Sequence, residues 1–104
     1  MPTSFEFGAM GVTSGSSGTM DVIIGDTVVS EVITADTTNK QTTVTAPNVG
    51  GGRPVVRINT DAAVYVAVGA FPSAKNSAAR FWLRANTEIV IACNPGDKAA
   101  VSTT

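Results

Sequence analysis

The feature that most restricts the fold of this chain is its choice of apolar residues. Only one of the 104 residues, Leu83, is leucine, whereas valine, isoleucine and threonine are abundant. A branch at Cβ stiffens the side chain and suits a pleated strand better than a helix. A helical protein would hardly avoid leucine to this extent. The composition therefore predicts an all-β fold.

Short apolar runs bounded by turn residues predict about eight short strands. Turn signals recur about every 8 to 12 residues, which is typical of β-sandwiches and small barrels. Gly25-Asp26 predicts a type II′ hairpin, because glycine comes first in a two-residue loop. Asn94-Pro95-Gly96-Asp97 predicts a type II turn, because proline presets φ and glycine accepts a positive φ. We expect residues 20–104 to form one small antiparallel β-sandwich, or a jelly roll or barrel.

The first 19 residues have the composition of a flexible arm. Gly8 to Thr19 reads GAMGVTSGSSGT, and segments rich in glycine and serine resist ordering. We predict an arm over residues 1–19 that is either inert or becomes ordered across a partner. Phe5 and Phe7 favour the second possibility, an arm that becomes ordered on a partner, because an inert tail gains little from two aromatic side chains.

The charges bear on which partners the chain can bind. The formal net charge is −1, so no overall field attracts nucleic acid or an anionic membrane. Acids outnumber bases from Met1 to Val49, and bases outnumber acids from Gly50 onward. This asymmetry is either chance or an acidic end that docks on a basic surface of a neighbouring copy. With the small core of a short chain, it leads us to expect a homo-oligomer, with a trimer favoured.

The residues that usually carry catalytic chemistry are absent or scattered. There is no histidine, which removes the usual general base near neutral pH and the commonest metal ligand. Cys93 is the only cysteine, and the apolar run around it favours an inert buried thiol. The carboxylates form neither a calcium-loop pattern nor a pair spaced for glycoside hydrolysis. We expect no catalytic site, no cofactor and no metal.

The segment Arg80-Phe81-Trp82-Leu83-Arg84 is a candidate binding surface. Strand alternation would put Arg80, Trp82 and Arg84 on one face and the other two residues on the opposite face. A tryptophan between arginines is typical of protein interfaces, and it can also stack on nucleobases or sugar rings. The alternative is that Trp82 belongs to the core and the arginines extend to solvent. The candidate interface residues are Phe5, Phe7, Arg80, Trp82 and Arg84.

Several motifs between Val55 and Val101 follow one another in a characteristic order. They are a V-R-I-N strand, the Y-x-A-x-G strand Val64–Gly69, a proline-bearing loop Phe71–Ala74, a glutamate-led apolar strand Glu88–Ile91 and the N-P-G-D-K turn Asn94–Lys98. In this order of features the chain resembles small β-sandwich structural proteins of tailed bacteriophage virions. Some members of that group are similar to the decoration or cement proteins that coat capsids. The resemblance implies no catalytic residues.

The resemblance and the composition together lead to a functional expectation. We expect a non-enzymatic virion protein, assembled in the host cytoplasm, that decorates the capsid surface, binds the major capsid protein and stabilises the shell. A tail or head–tail joining subunit is the first alternative, because it needs the same kind of stable, adhesive sandwich. A carbohydrate-binding β-sandwich that uses Trp82 is the second alternative. We expect neither a nucleic-acid nor a membrane partner.

Overall fold

The computed structural model describes residues 2–15, 18–48, 53–75 and 79–104, with side chains described outside residues 9–28. The described residues form eight strands that pair antiparallel in two four-stranded sheets, which confirms the predicted all-β sandwich. The strands are β1 (Pro2–Gly15), β2 (Gly18–Thr34), β3 (Lys40–Gln41), β4 (Pro54–Thr60), β5 (Val64–Gly69), β6 (Phe81–Leu83), β7 (Thr87–Ala92) and β8 (Lys98–Ser102). Within these ranges no helix is suited to crossing a bilayer.

The two sheets enclose one main core. Sheet 1 has the strand order β2-β1-β4-β7, and sheet 2 has the order β3-β8-β5-β6. Alternate residues of each strand face the other sheet. Val56 and Ile58 of β4 therefore share one buried cluster with Val64 and Val66 of β5. The chain crosses between the sheets after β2, β3, β4, β6 and β7, so no single hairpin can form the core alone.

Strand β1 lies inside sheet 1 and supplies the largest side chains of the core. Phe5 pairs with Glu31 of β2 on one side and with Ile58 of β4 on the other. Phe5 and Phe7 are both 0% exposed. A strand that pairs on both sides and buries two phenylalanines is an integral part of the domain.

This placement corrects the predicted arm. The arm over residues 1–19 and the domain boundary at residue 20 are wrong for Pro2–Gly8, which belong to the sandwich. The physical reason is the alternation of Thr3, Phe5 and Phe7, which gives this stretch one buried face. The glycine-rich composition of the following residues obscured that pattern.

Farther along, β1 and β2 continue as a two-stranded ribbon. Strand β4 begins at Pro54, opposite Ala9, whereas the β1–β2 pairing continues to Gly15 and Gly18. The longest dimension of the molecule is 46 Å. A two-stranded ribbon alone is at best marginally stable in water.

Of the predicted arm, residues 1, 16 and 17 lie outside the described part of the chain.

The two predicted turns have different outcomes. Gly25 and Asp26 lie inside β2, so the predicted type II′ hairpin is wrong. The β1–β2 register instead becomes irregular beside them, between Phe7 and Ala9 of β1, and glycine within a strand often marks such an irregularity. The type II turn at Asn94–Asp97 is confirmed, because Gly96 has a φ of 86° and Asp97 N donates to Asn94 O at 3.1 Å.

Asp36 organises the turn that follows β2. Its carboxylate accepts hydrogen bonds from the Thr38 N–H at 2.8 Å and the Thr38 hydroxyl at 2.5 Å, and lies 3.1 Å from Lys40 Nζ. The Thr38 hydroxyl and N–H, and then the Lys40 ammonium, lower the pKa of Asp36 from 3.8 to about 2. The backbone carbonyl oxygen of Asp36 also accepts a hydrogen bond from Thr103 N at 2.8 Å, which attaches the segment after β8 to this turn.

Replacing Phe5 or Phe7 by alanine should destabilise the entire domain. Each replacement leaves a cavity in the core, and such changes typically cost about 3–5 kcal/mol. Urea unfolding followed by circular dichroism measures the loss. The control is Val32→Ala on the outer face of the same sheet, where the side chain is 65% exposed and the cost should stay within about 0.5 kcal/mol. Equal urea midpoints for Phe5→Ala and Val32→Ala would mean that Phe5 lies outside the core and that the first strand is a flexible arm.

Replacing Asp36 by asparagine should reduce the acid sensitivity of the fold. The pKa of about 2 in the folded protein lies below the ordinary 3.8, so the charged form stabilises the fold above about pH 4. That contribution is lost as the pH falls from about 4 to about 2. The Tm of the unmodified protein should therefore drop more steeply over this interval than the Tm of Asp36→Asn. Asp61→Asn is the control. An identical dependence of Tm on pH in all three proteins would contradict the assignment of this acid sensitivity to Asp36.

Candidate interaction surface

A loop covers part of the outer face of sheet 2. Residues 71–75, which follow β5, fold back across this face and bring Ala74 against Ala67 of β5 and Ala100 of β8. All three alanines are buried. The small side chains let the loop backbone approach the sheet closely. This end of the outer face is therefore closed, and the end nearer β6 carries the larger side chains.

Polar contacts hold the loop from both sides. Asn39 Oδ1 accepts a hydrogen bond from Ala74 N at 2.8 Å, and Gln41 Nε2 donates to Pro72 O at 2.9 Å. From the other side, Arg80 Nη1 donates to Ala74 O at 3.2 Å. The loop conformation and the position of the Arg80 side chain therefore depend on each other.

Tyr65, Arg80 and Trp82 come together beside this loop, and we call them the Tyr65 cluster. The guanidinium carbon of Arg80 lies 3.6 Å from the centroid of the Tyr65 ring, a cation–π contact that contributes about 0.5–1 kcal/mol at an exposed site. Trp82 of β6 pairs directly with Tyr65 of β5. The two ring centroids are 4.7 Å apart and the ring planes are tilted by 58°.

Trp82 is held in position and is still open to solvent. Its side chain is 54% exposed, so the interpretation of Trp82 as a core residue is wrong. The reason is that Trp82 lies on the outer face of an edge strand, on the side away from sheet 1. Contact with Tyr65 restricts the indole before any partner arrives, which lowers the entropic cost of binding. The arrangement suits a surface that another molecule covers.

The other predicted interface residues lie elsewhere. Arg84 follows the end of β6 in an exposed turn, where the left-handed Asn86 at φ 59° redirects the chain toward β7. Strand alternation therefore does not extend to Arg84, and it does not join the Tyr65 cluster. Phe5 and Phe7 are core residues, so in the folded domain they are not available as an interface.

Phe81 and Leu83 face the core as the alternation predicts, but to different extents. Their partners on β5 are Val66 and Val64, which lie in the buried cluster. Leu83 is 6% exposed, whereas Phe81 is 48% exposed. Phe81 therefore carries apolar surface at the edge of the sandwich that strands β6 and β7 share.

Tyr65 is the member of the cluster that sequence reasoning missed. The signal was present, because strand alternation puts Tyr65 on the face opposite Val64 and Val66. Its contact with Arg80 and Trp82 depends on the β5–β6 register, which local sequence does not specify.

The side chains in the described part of the chain offer limited reactive chemistry. Burial, followed by the charge of Asp97, raises the pKa of the Cys93 thiol to about 11. The protonated thiol Sγ donates to Pro54 O at 3.5 Å, so Cys93 acts as a small core residue. Within the described ranges, no three His, Cys, Asp or Glu side chains are grouped to hold a metal ion. The chemistry that the Tyr65 cluster does offer is stacking, apolar contact and a guanidinium donor.

Comparison of this chain with protein-family models, with curated proteins and with solved structures finds no match.

Trp82→Ala should leave the domain almost as stable as before, whereas Leu83→Ala should not. The two neighbours lie on opposite faces of β6 and are 54% and 6% exposed. Removing the buried leucine should cost about 2–5 kcal/mol, while removing the exposed indole should cost about 1 kcal/mol through its contact with Tyr65. Chemical denaturation of both variants measures the difference. Similar losses for the two variants would assign Trp82 to the core.

Proposed function

We propose that this protein is a non-enzymatic structural subunit that binds another protein through the Tyr65 cluster, most specifically a decoration or cement protein on a bacteriophage capsid. The observation that carries the proposal is the half-exposed indole of Trp82, held against Tyr65. A rigid aromatic side chain with an adjacent arginine is the combination that dominates binding energy at protein interfaces. The partner is the major capsid protein, or another subunit of the virion.

The arrangement around the indole supports protein binding in particular. The guanidinium of Arg80 lies over one face of the Tyr65 ring and donates to Ala74 O. A partner would therefore meet a preformed surface with one apolar anchor and donors already in place, which favours affinity because little has to be ordered.

Two further features support the virion role. The motifs that resemble virion proteins occupy consecutive parts of the sandwich, from β4 through the turn before β8. The β1–β2 ribbon extends beyond the sandwich and gives the subunit a long reach for a chain of this size. A capsid and a tail each suit such a subunit, so a tail or head–tail joining role is the alternative within the same class.

A carbohydrate-binding role is the second candidate, because an exposed indole can stack on a sugar ring. Arg80 covers a face of the neighbouring Tyr65 ring, so Trp82 is the aromatic side chain of the cluster that offers a wide free surface. Trp82 is thus one aromatic platform for a sugar, and it serves equally as an anchor for a protein partner, so the test below has to separate the two roles.

Trp82→Ala should reduce the number of copies bound per virion at least severalfold. Loss of an interface anchor typically costs 2 kcal/mol or more, about a thirtyfold drop in affinity. Each variant is supplied in place of the natural gene during virion assembly. Quantitative gel electrophoresis or mass spectrometry of the purified virions then gives the number of copies of this protein per virion. Val32→Ala, which removes a somewhat more exposed apolar side chain from sheet 1, is the control and should leave the stoichiometry unchanged.

Three outcomes would count against this proposal. Absence of the unmodified protein from purified virions would remove the virion role. Full occupancy by Trp82→Ala would remove the Tyr65 cluster as the contact. Sugar binding on a glycan array that disappears in Trp82→Ala, together with absence from virions, would favour the carbohydrate role.

A further inference from the structure

The four edge strands of the sandwich differ in how well they are protected. In sheet 2 the edges are very short, since β3 has two residues and β6 has three. In sheet 1 the edge strand β2 carries Glu31, whose carboxylate accepts hydrogen bonds from the backbone of Thr43 and Val44 at 2.7 and 3.1 Å. The segment after β3 thus lies against that edge. Short strands and covering segments are the usual ways of preventing unwanted strand pairing.

Within the described part of the chain, strand β7 has none of these protections. It spans six residues, Thr87–Ala92, and among the described residues it pairs only with β4. Its sequence, TEIVIA, contains no proline and no lysine, and its pairing with β4 runs without a bulge. A regular, largely apolar edge of this length is a template for another strand.

The hydrogen-bond pattern shows which backbone groups of β7 face outward. Cys93 N donates to Pro54 O at 2.9 Å, and the β4–β7 register continues without a break from this pair. In an antiparallel ladder, alternate residues direct both N–H and C=O to the same neighbour. Ile91 and Ile89 therefore bond to β4, and Glu88, Val90 and Ala92 direct their N–H and C=O groups away from the sheet.

Apolar side chains along the same edge are incompletely covered. Ile89 and Ile91 face the core but are only partly buried, and Val90 on the outer face is 45% exposed. Phe81 lies on β6, the edge strand of the other sheet on this side, and is 48% exposed. Unpaired backbone groups and apolar surface thus coincide at one edge.

We propose that β7 pairs antiparallel with β7 of a second copy of this chain, about a two-fold axis at Val90. In this register Val90 lies opposite its own copy, Glu88 lies opposite Ala92, and Ile89 lies opposite Ile91. The outward N–H and C=O groups then bond to each other, and every side chain keeps its face of the sheet. The pairing joins two copies of sheet 1 into one continuous sheet.

The occupant is a second copy because the edge is complementary to itself. The one charged residue of β7, Glu88, meets alanine in the two-fold register and never its own copy. Pairing of β7 with the β2 edge of another copy would be head-to-tail, and it would build a ring or an open chain. The two-fold contact closes after two copies and predicts a dimer where the composition favoured a trimer. This inference does not depend on the Tyr65 cluster or on a virion role.

Disulfide trapping tests the register directly. A hydrogen-bonded antiparallel pair has its Cα atoms about 5.5 Å apart, within disulfide range. In a Cys93→Ser background, Val90→Cys should give a covalent dimer in high yield on mild oxidation. Val32→Cys, at a more exposed valine on the outer face of the same sheet, is the matched control and should remain mostly monomeric. Equal yields from the two variants would overturn the proposed register.

Native mass spectrometry of two further variants tests the contact without a cross-link. Val90→Pro removes an N–H that does not bond to β4, and Val90→Lys puts two like charges opposite each other at the axis. Each should raise the dimer dissociation constant at least about tenfold while circular dichroism stays that of the folded domain. A trimer in the unmodified protein, a monomer at micromolar concentration, or a dimer that persists in Val90→Lys would overturn the proposal.

Discussion

The structure depends on the burial of Phe5 and Phe7 between the two sheets. Strand β1 is the only partner of β2 among the described residues, and it also pairs with β4, so it joins the start of the chain to the remainder of sheet 1. The two phenyl rings belong to the same buried cluster as Val101 of β8, in the opposite sheet. Aromatic side chains bury more apolar area than the valines and alanines that fill most of this core. Without β1, sheet 1 would lose the strand between β2 and β4 and the two largest fully buried side chains of the core.

The sequence predicted the fold class correctly, because that prediction rests on local preference. The near absence of leucine and the alternation within β4 and β6 favour strands wherever those residues lie in the fold. The turn at Asn94–Asp97 was equally predictable, since Pro95 fixes its own φ angle and Gly96 accepts the positive φ that the third position of a type II turn requires. The prediction failed in β1, where the glycine- and serine-rich composition after Phe7 concealed the alternation before it. It failed again at Gly25, which accompanies a register irregularity and makes no turn.

The candidate site was predictable only in part. Alternation put Trp82 on the face opposite Leu83 but left open whether that face is buried. Its exposure depends on the edge position of β6, and its contact with Tyr65 depends on the β5–β6 register. Arg84 was misplaced because β6 ends one residue earlier than the alternation suggests. Part of the uneven distribution of charge along the sequence is explained by contacts within one copy. Glu6 of β1 forms an ion pair with Arg57 of β4, and Arg57 Nε also lies 3.6 Å from a carboxylate oxygen of Glu88. These charges meet within one copy, so the asymmetry is weak evidence for contact between copies.

The integration of β1 is tested most directly by hydrogen exchange of its backbone amides. Native-state exchange resolved by residue should show Phe5 and Phe7 amides protected to the same degree as the β4 amides of Val56 and Ile58, because all four open only when the domain unfolds. Exchange of the β1 amides at the rate of an unfolded chain, with β4 still protected, would contradict the account. It would mean that the sandwich forms without its first strand.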